Sequence, residues 1–292
     1  MTLAVLSWAP DSHAYAWMIK HGYGKCGTCH VDPSGGETLT GMGRVQADTL
    51  LSMRGSDKSP REMAKFLWGL DEPAPLRLGG SSRWMLIKQG DDTSFFPMQL
   101  DVYGAGNLGG FLFGGSLGVA KVDVGSPHAR RAQLTSGQGD TMNLLSRTHY
   151  IGMELDNGSM IRAGRLNLPF GLRIPEHVMW VRDATRTDRD SDQQHGVSLY
   201  MNDGRWRGEL MAIFGNFQIS PDDFRERGYA GYVEYFLNPT LAVGATSMFT
   251  QARQDLAEPL AGRYNRHAHG VMARAGISDA FAVIGEVDVL KV

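Results

Sequence analysis

The sequence predicts a mainly β protein, in which a small α-helical segment precedes an antiparallel β-barrel of the transmembrane kind. Apolar and polar residues alternate with a period of two from about residue 77 onward, as in residues 206–214. The alternating segments are about ten residues long, which is the length of a tilted strand that crosses a bilayer. Glycine makes up 37 of the 292 residues, against an average usage of about 7%, and this excess suits many strands and tight turns.

The first 14 residues are interpreted as a secretory signal peptide that is truncated at its start. They contain a short apolar stretch and end on small residues at Ala14, but they lack a positively charged n-region. The alternative is a disordered N-terminus. Residues 15–76 form the next predicted unit, a small segment with short helices.

The strongest motif of this segment is Cys26-Gly27-Thr28-Cys29-His30, which holds both cysteines of the chain. Two adjacent thiols suit a redox pair, half of a zinc site or the anchors of a c-type haem. A zinc site needs further ligands at a second pair, and a thioredoxin-like pair gains nothing from the histidine that follows. Haem attachment needs that histidine, so we predict one covalent haem c, with His30 as the proximal ligand of its iron. Such a haem implies an oxidising compartment outside the cytoplasm.

The distal ligand of the haem iron stays open at the sequence level. His21 lies five residues before Cys26, and Met42 lies twelve residues after His30 between two glycines. Met18 and Met53 are further candidates, and ordinary exposure or packing explains each of these residues equally simply. The choice matters because a methionine ligand raises the reduction potential and a second histidine lowers it.

Two short helices are expected after the motif, over Val45–Met53 and from Ser59 to about Leu70. The second begins with a serine N-cap, a proline at the first helical position and a glutamate two residues later. The Pro-containing stretch 72–75 then marks a domain boundary. From 77 to 292 we count about eleven strand-like segments, separated by turn signals such as Asn202-Asp203-Gly204.

Two architectures explain the alternation, a membrane barrel with a polar lumen and a soluble sandwich with one wet face. The segment lengths, the long polar gaps at 125–145, 171–193 and 252–265 and the aromatic residues near segment ends favour the barrel. These aromatic residues are Trp84, Phe96, Tyr103, Trp206, Tyr235 and Phe236. Bacterial single-chain barrels have even strand counts, so an odd count predicts that C-terminal strands are missing from this sequence.

A resemblance to a known family rests on residues 18–23, 26–30, 32–36 and 39–44. These stretches resemble the haem segment of bacterial outer-membrane fused monohaem cytochrome c–porins, whose best-known members are iron oxidases. The barrel half is similar to phosphate-selective-porin-like proteins, notably at residues 164–171. The resemblance covers most of the chain, and its CxxCH segment is the specific part. It also matches His21 to a family histidine.

The resemblance implies electron transfer at the outer membrane. A haem in the periplasm or in the barrel lumen would link periplasmic c-type cytochromes to an external redox partner such as Fe(II), and the chain would be an electron carrier rather than a typical enzyme. Two alternatives stay open: a solute or anion porin with a haem-binding plug or sensor, and a soluble periplasmic cytochrome fused to a binding sandwich. The net charge of -2 gives no sign of nucleic-acid binding, and no hydrolase motif stands out.

Three further groups of polar residues carry weaker hypotheses. His267 and His269 suit a metal site in the lumen or plain polar lining. The mixed-charge run 182–192 is expected to be a solvated loop or, as an alternative, a cation docking surface. A final set suits either an anion-favouring channel or ordinary charge pairing inside the lumen, namely Arg162, Arg165, Arg205 and Arg207, with Glu154, Glu209 and Glu234 as the partners.

Overall fold

A computed structural model describes most of the chain. The described residues are 18–19, 21–47, 76–90, 92–121, 131–135, 142–155, 158–173, 180–189, 191–256, 260, 262–278 and 281–292. The predicted signal peptide, the predicted helix over 59–70, Met53 and the predicted boundary at 72–75 lie outside these residues.

Twelve β-strands dominate the described part of the chain, so the count is even where the sequence predicted about eleven. Their bounds are β1 (Leu76–Gln89), β2 (Asp92–Leu108), β3 (Phe111–Lys121), β4 (Met142–Leu145), β5 (His149–Glu154), β6 (Met160–Leu166), β7 (Gln194–Asp203), β8 (Trp206–Gly215), β9 (Arg227–Asn238), β10 (Leu241–Ala252), β11 (Tyr264–Ser278) and β12 (Phe281–Lys291).

The twelve strands form one antiparallel sheet in which nearly every strand pairs with its neighbours in sequence. The order runs from β1 to β12, except that β3 pairs with β5 and the short β4 pairs with β3 at the side. β1 and β12 are the two edges, and the sheet is not closed between them. The sandwich architecture is wrong for the described residues, because a sandwich needs two packed sheets and these strands belong to one.

Tight turns connect consecutive strands, as their sequences predict. Asp203 pairs with Trp206 across a two-residue loop, and Gly204 has a φ of 46°, a conformation that glycine adopts without strain. Asn238 pairs with Leu241 in the next hairpin.

The two faces of the sheet differ, since charged side chains are buried on one face and large apolar side chains are exposed on the other. In β8, Arg207 and Glu209 are buried, whereas Leu210 and Phe214 on the opposite face are about half exposed. The same arrangement recurs in β6, β9 and β11, where Arg162, Glu234 and Arg266 are buried. Large apolar side chains of the outer face include Val102, Leu117, Ile151, Leu199, Leu210, Val233, Val271 and Val287.

The aromatic residues divide between the two faces. Trp206 stacks near Tyr235 on the outer face, with ring centroids 4.7 Å apart. Phe236, which the sequence placed in an interfacial girdle, is instead buried on the inner face, where the guanidinium of Arg274 lies 4.9 Å from its ring centroid. The girdle prediction is therefore wrong for Phe236.

Helices are few and short in the described residues. Helix α1 (Gly41–Gln46) begins after Thr40, whose Oγ1 accepts a hydrogen bond from the Gly43 amide. Of the helix predicted over Val45–Met53, residues 48–53 lie outside the described residues. Its first residues belong to α1, which begins four residues earlier than expected because Thr40 supplies the N-cap. Helix α2 (Trp180–Thr185) lies in the long connection between β6 and β7. Within the described residues, no helix is long and apolar enough to span a membrane.

Two segments outside the strands lie on the inner face of the sheet. We call residues 21–44 the motif segment and residues 167–193 the inner loop, of which 174–179 and 190 are not described. The inner loop contributes Leu168 and Phe170 to the main apolar cluster, together with Val31 of the motif segment. The expectation of a solvated loop over 182–192 is wrong, since Arg182, Thr185, Thr187, Ser191 and Asp192 are buried.

Candidate functional site

The CxxCH motif forms a single helical turn. A 3-10 turn covers Cys26–Thr28, and the amides of Cys29 and His30 both donate to the carbonyl of Cys26, at 3.1 and 2.9 Å. This turn brings both thiols and the imidazole to one short stretch of backbone. Both cysteines are free thiols and partly buried.

The imidazole of His30 is oriented by a backbone carbonyl. Its Nδ1 lies 2.8 Å from the oxygen of Gly36, so Nδ1–H donates and Nε2 is left as the coordinating nitrogen. Burial lowers the pKa of His30 and so favours the neutral imidazole, although the hydrogen bond to Gly36 acts in the opposite direction. A neutral imidazole with one nitrogen fixed by a carbonyl is the form that ligates a metal.

Helix α1 packs closely against the motif turn at Gly43. A Cβ at this position would overlap the backbone carbonyl of Cys29, so only glycine allows the approach.

We expect Gly43→Ala to push the motif turn away from α1, so that the two thiols lose their native positions and react less readily with haem. Covalent haem per chain, measured by pyridine haemochrome, should fall at least about threefold, since the shift acts directly on Cys29. Gly285→Ala is the matched control, because a Cβ there meets no atom within 4 Å. Equal haem content in the two variants would contradict this expectation.

Asp32 fixes the motif segment to the wall of the sheet. Its Oδ1 accepts from Arg162 of β6 at 2.7 Å and from the Ser34 amide at 2.8 Å. Arg162 also contacts Glu209 of β8 at 2.5 Å, and its side chain is fully buried. Burial alone would raise the pKa of Asp32, but Arg162, Ser34 and Arg189 outweigh it and lower that pKa to about 2.

One carbonyl of the motif segment joins two distant strands. The oxygen of Gly24 accepts from Arg207 of β8 at 2.8 Å and from Arg274 of β11 at 2.6 Å. Both guanidiniums also pair with Glu234 of β9. Because β8 and β11 are three positions apart, the sheet is curved and the motif segment lies on its concave face.

The predicted charge pairing is therefore confirmed for part of the arginine set. Arg162 pairs with Glu209, and Arg207 pairs with Glu234. Arg165 is buried but donates to backbone carbonyls, including those of Ser146 and Arg147. Arg205 and Glu154 are exposed, so neither lines the inner face.

The distal-ligand candidates are not buried beside the motif. His21 is exposed, and Met42, near the start of α1, is 45% exposed. Met18 is partly buried. These positions leave the distal ligand a sequence-level prediction.

His267 and His269 lie on the outer face, so the prediction that they line a lumen is wrong. His267 packs on Phe249 with ring centroids 4.6 Å apart, and Nδ1 of His269 lies 3.0 Å from Oγ of Ser247. Among the described residues, no group of three or more His, Cys, Asp and Glu side chains is arranged to hold a metal ion.

Sequence reasoning missed a group of buried charges at the motif. Glu37 accepts from Oγ1 of Thr148 at 2.6 Å. Burial and then Asp32 raise the pKa of Glu37 to about 7, although Thr148 and Arg189 act in the opposite direction. Its position seven residues after His30 gave no signal, because nothing local shows that Thr148 and Asp32 will face it.

A pH dependence follows from Glu37. A carboxyl whose folded pKa exceeds its unfolded value contributes stability that is complete below about pH 4.5 and is lost as pH rises through about 7. The free energy of unfolding should fall across this window by at most about 1.4 kcal/mol per pH unit. Urea unfolding at several pH values should lose this slope in Glu37→Gln, whereas a slope unchanged in that variant would contradict the assignment.

We compared the chain with known protein families, curated proteins and solved structures. No family model, no curated protein and no solved structure matches this chain.

Proposed function

We propose that this chain is an outer-membrane electron-transfer protein, in which a β-barrel holds one covalent haem c on its inner side. The observation that carries this proposal is the position of the CxxCH turn on the concave face, where ion pairs from Arg162 and hydrogen bonds from Arg207 and Arg274 fix its segment. An electron carrier needs its redox group at a defined position, and these contacts would hold the motif segment, and a haem attached to it, in one position.

The outer face of the sheet supports a location in lipid. Monomeric soluble proteins rarely expose a contiguous apolar patch larger than a few hundred Å². Here exposed Val, Leu, Ile and Phe side chains recur on one face of strands throughout the sheet. On the other face of β6, β8, β9 and β11, buried charged side chains recur, namely Arg162, Arg207, Glu209, Glu234, Arg266 and Arg274. In water this arrangement is unfavourable, and in a bilayer it is the expected one.

The residues at the motif fit a haem. Cys26 and Cys29 would form the two thioether links, and Nε2 of His30 would ligate the iron while Nδ1 stays bound to Gly36. The bound group would accept and release one electron. Gly35 leaves space beside the first thiol, because a Cβ there would lie 3.4 Å from Sγ of Cys26.

The contacts of the motif segment also favour one side of the membrane. Nζ of Lys25 donates to the carbonyl of Gly204 at 2.9 Å, and Gly22 lies against Pro239. Both partners belong to short hairpin turns, and in outer-membrane barrels short turns face the periplasm. We therefore propose periplasmic c-type cytochromes as partners on this side, with an external partner such as Fe(II) on the other.

Occupation of the concave face by two segments favours an electron carrier over an open porin. The test uses the full chain in liposomes that enclose an electron acceptor, with a membrane-impermeant donor outside. His30→Ala should abolish transfer, and His269→Ala on the outer face should leave it unchanged. Transfer that survives His30→Ala would refute the electron-carrier role, and a large steady conductance in planar bilayers would favour the porin.

A further inference from the structure

Among the described residues, three arginines of the inner loop make no hydrogen bond to a carboxylate: Arg173 and Arg182, which are buried, and Arg189, which is partly buried. Arg173 donates to the carbonyl of Leu168 at 2.5 Å. Arg182 donates to the carbonyls of Phe170 and Leu172, and Arg189 donates to those of Ser34 and Gly35. All these acceptors are neutral backbone oxygens, so none of these hydrogen bonds supplies a counter-charge. Glu286 and Asp188 near Arg182, and Asp32 and Glu37 near Arg189, offset the positive charges only in part.

The three charges lie close enough to repel one another. Burial, then Arg173 and Arg189, lowers the pKa of Arg182 to about 10. Burial and then Arg173 also lower the pKa of Arg189. A group of like charges that is removed from water is unfavourable where nearby carboxylates offset it only in part, and a bound anion would relieve the repulsion.

Arg173 has hydrogen-bond donors to spare. Its side chain is 3% exposed, yet neither Nε nor Nη2 has a hydrogen-bond partner in the described part of the chain. The guanidinium lies 5.8 Å from the ring centroid of Tyr232, whose buried hydroxyl likewise has no partner among these residues. Nε and one Nη of an arginine form the edge that binds two oxygens of a carboxylate or phosphate.

We propose that Arg173, assisted by Arg189, binds an oxyanion beside the motif turn. The backbone oxygen of Arg173 lies 3.6 Å from Sγ of Cys26, and Gly35 separates that cysteine from Arg189, which places the anion next to the thiols. The chemistry is shared by two sources, a carboxylate of a tetrapyrrole held at the cysteines and a free inorganic anion such as phosphate. The second source needs no haem, so the site is separable from the proposed function.

The experiment measures thermal unfolding of the detergent-solubilised full chain in inorganic phosphate, with chloride at matched ionic strength as the reference. A haem-free form carries Cys26→Ser and Cys29→Ser, and haem content is read separately by absorbance. We expect phosphate at about a hundred times Kd to raise the unfolding temperature of the haem-free form by roughly 5–10 °C. Arg173→Gln should remove this protection and, in chloride alone, raise the unfolding temperature, because it removes a buried charge that repels Arg182.

Arg205→Gln in the exposed hairpin is the matched control and should keep the phosphate protection. Protection of both haem-free and haem-loaded chains identifies a free anion, and protection of the haem-free chain alone identifies the tetrapyrrole carboxylate. Absence of protection in the haem-free chain, or equal protection in Arg173→Gln, overturns the proposal. A chain that never acquires haem contradicts the proposed function but leaves the haem-free arm of this test intact.

Discussion

Arg162→Met is expected to destabilise the folded chain by about 3–5 kcal/mol, because it leaves two buried carboxylates without their shared cation. Arg162 is fully buried and contacts Asp32 at 2.7 Å and Glu209 at 2.5 Å. Methionine has a similar volume, so the loss reflects charge rather than a cavity. Urea unfolding followed by tryptophan fluorescence in the same detergent or lipid measures the difference.

The control for this substitution is an exposed pair. Arg253 contacts Asp223 at 3.1 Å, with side chains 75% and 41% exposed, so Arg253→Met should cost less than about 1 kcal/mol. Adding Asp32→Asn to Arg162→Met should restore part of the lost stability, because one unpaired carboxylate disappears. Equal small losses in Arg162→Met and Arg253→Met would refute the view that this pair anchors the motif segment.

Val271→Arg should cost about 2–4 kcal/mol in lipid, because its site lies at the middle of β11 on the outer face. Val271 is 61% exposed and pairs in register with Val287, which is 69% exposed. The same substitution at a water-facing position is usually within about 0.5 kcal/mol of neutral. The two environments therefore predict different results, and unfolding from lipid vesicles distinguishes them.

Leu260→Arg is the control for Val271→Arg. Leu260 is fully exposed and lies outside the strands. Its replacement should leave the free energy of unfolding unchanged in vesicles. If Val271→Arg is tolerated equally well, the outer face is in contact with water and the membrane location is refuted.

Local patterns predict the strands well and long-range contacts poorly. The alternation in residues 206–214 predicts both faces of β8, because side-chain direction in a strand follows from a period of two. The mixed charges over 182–192 resemble a solvated loop, since local sequence gives no sign that Arg182 will reach the carbonyls of Phe170 and Leu172. His267 and His269 were assigned to the wrong face for a related reason, as alternation predicts two faces but not which of them is enclosed.

The candidate site follows the same division. The CxxCH turn depends on five consecutive residues, so its backbone is predictable from the sequence. The surroundings of Asp32 and Glu37 depend on Arg162 and Thr148, more than a hundred positions away. Such pairings exist only after the sheet has formed, and composition or spacing near the motif does not encode them.

The hydrogen bond between Gly24 and Arg274 joins residues 250 positions apart in the chain. A contact of this kind must wait until the last strands have been synthesised and brought back to the first, and closing so long a loop is slow. Cys26 and Cys29 therefore stay accessible until β11 has formed. If a haem is attached to them as proposed, we expect the attachment to precede docking of the motif segment on the sheet.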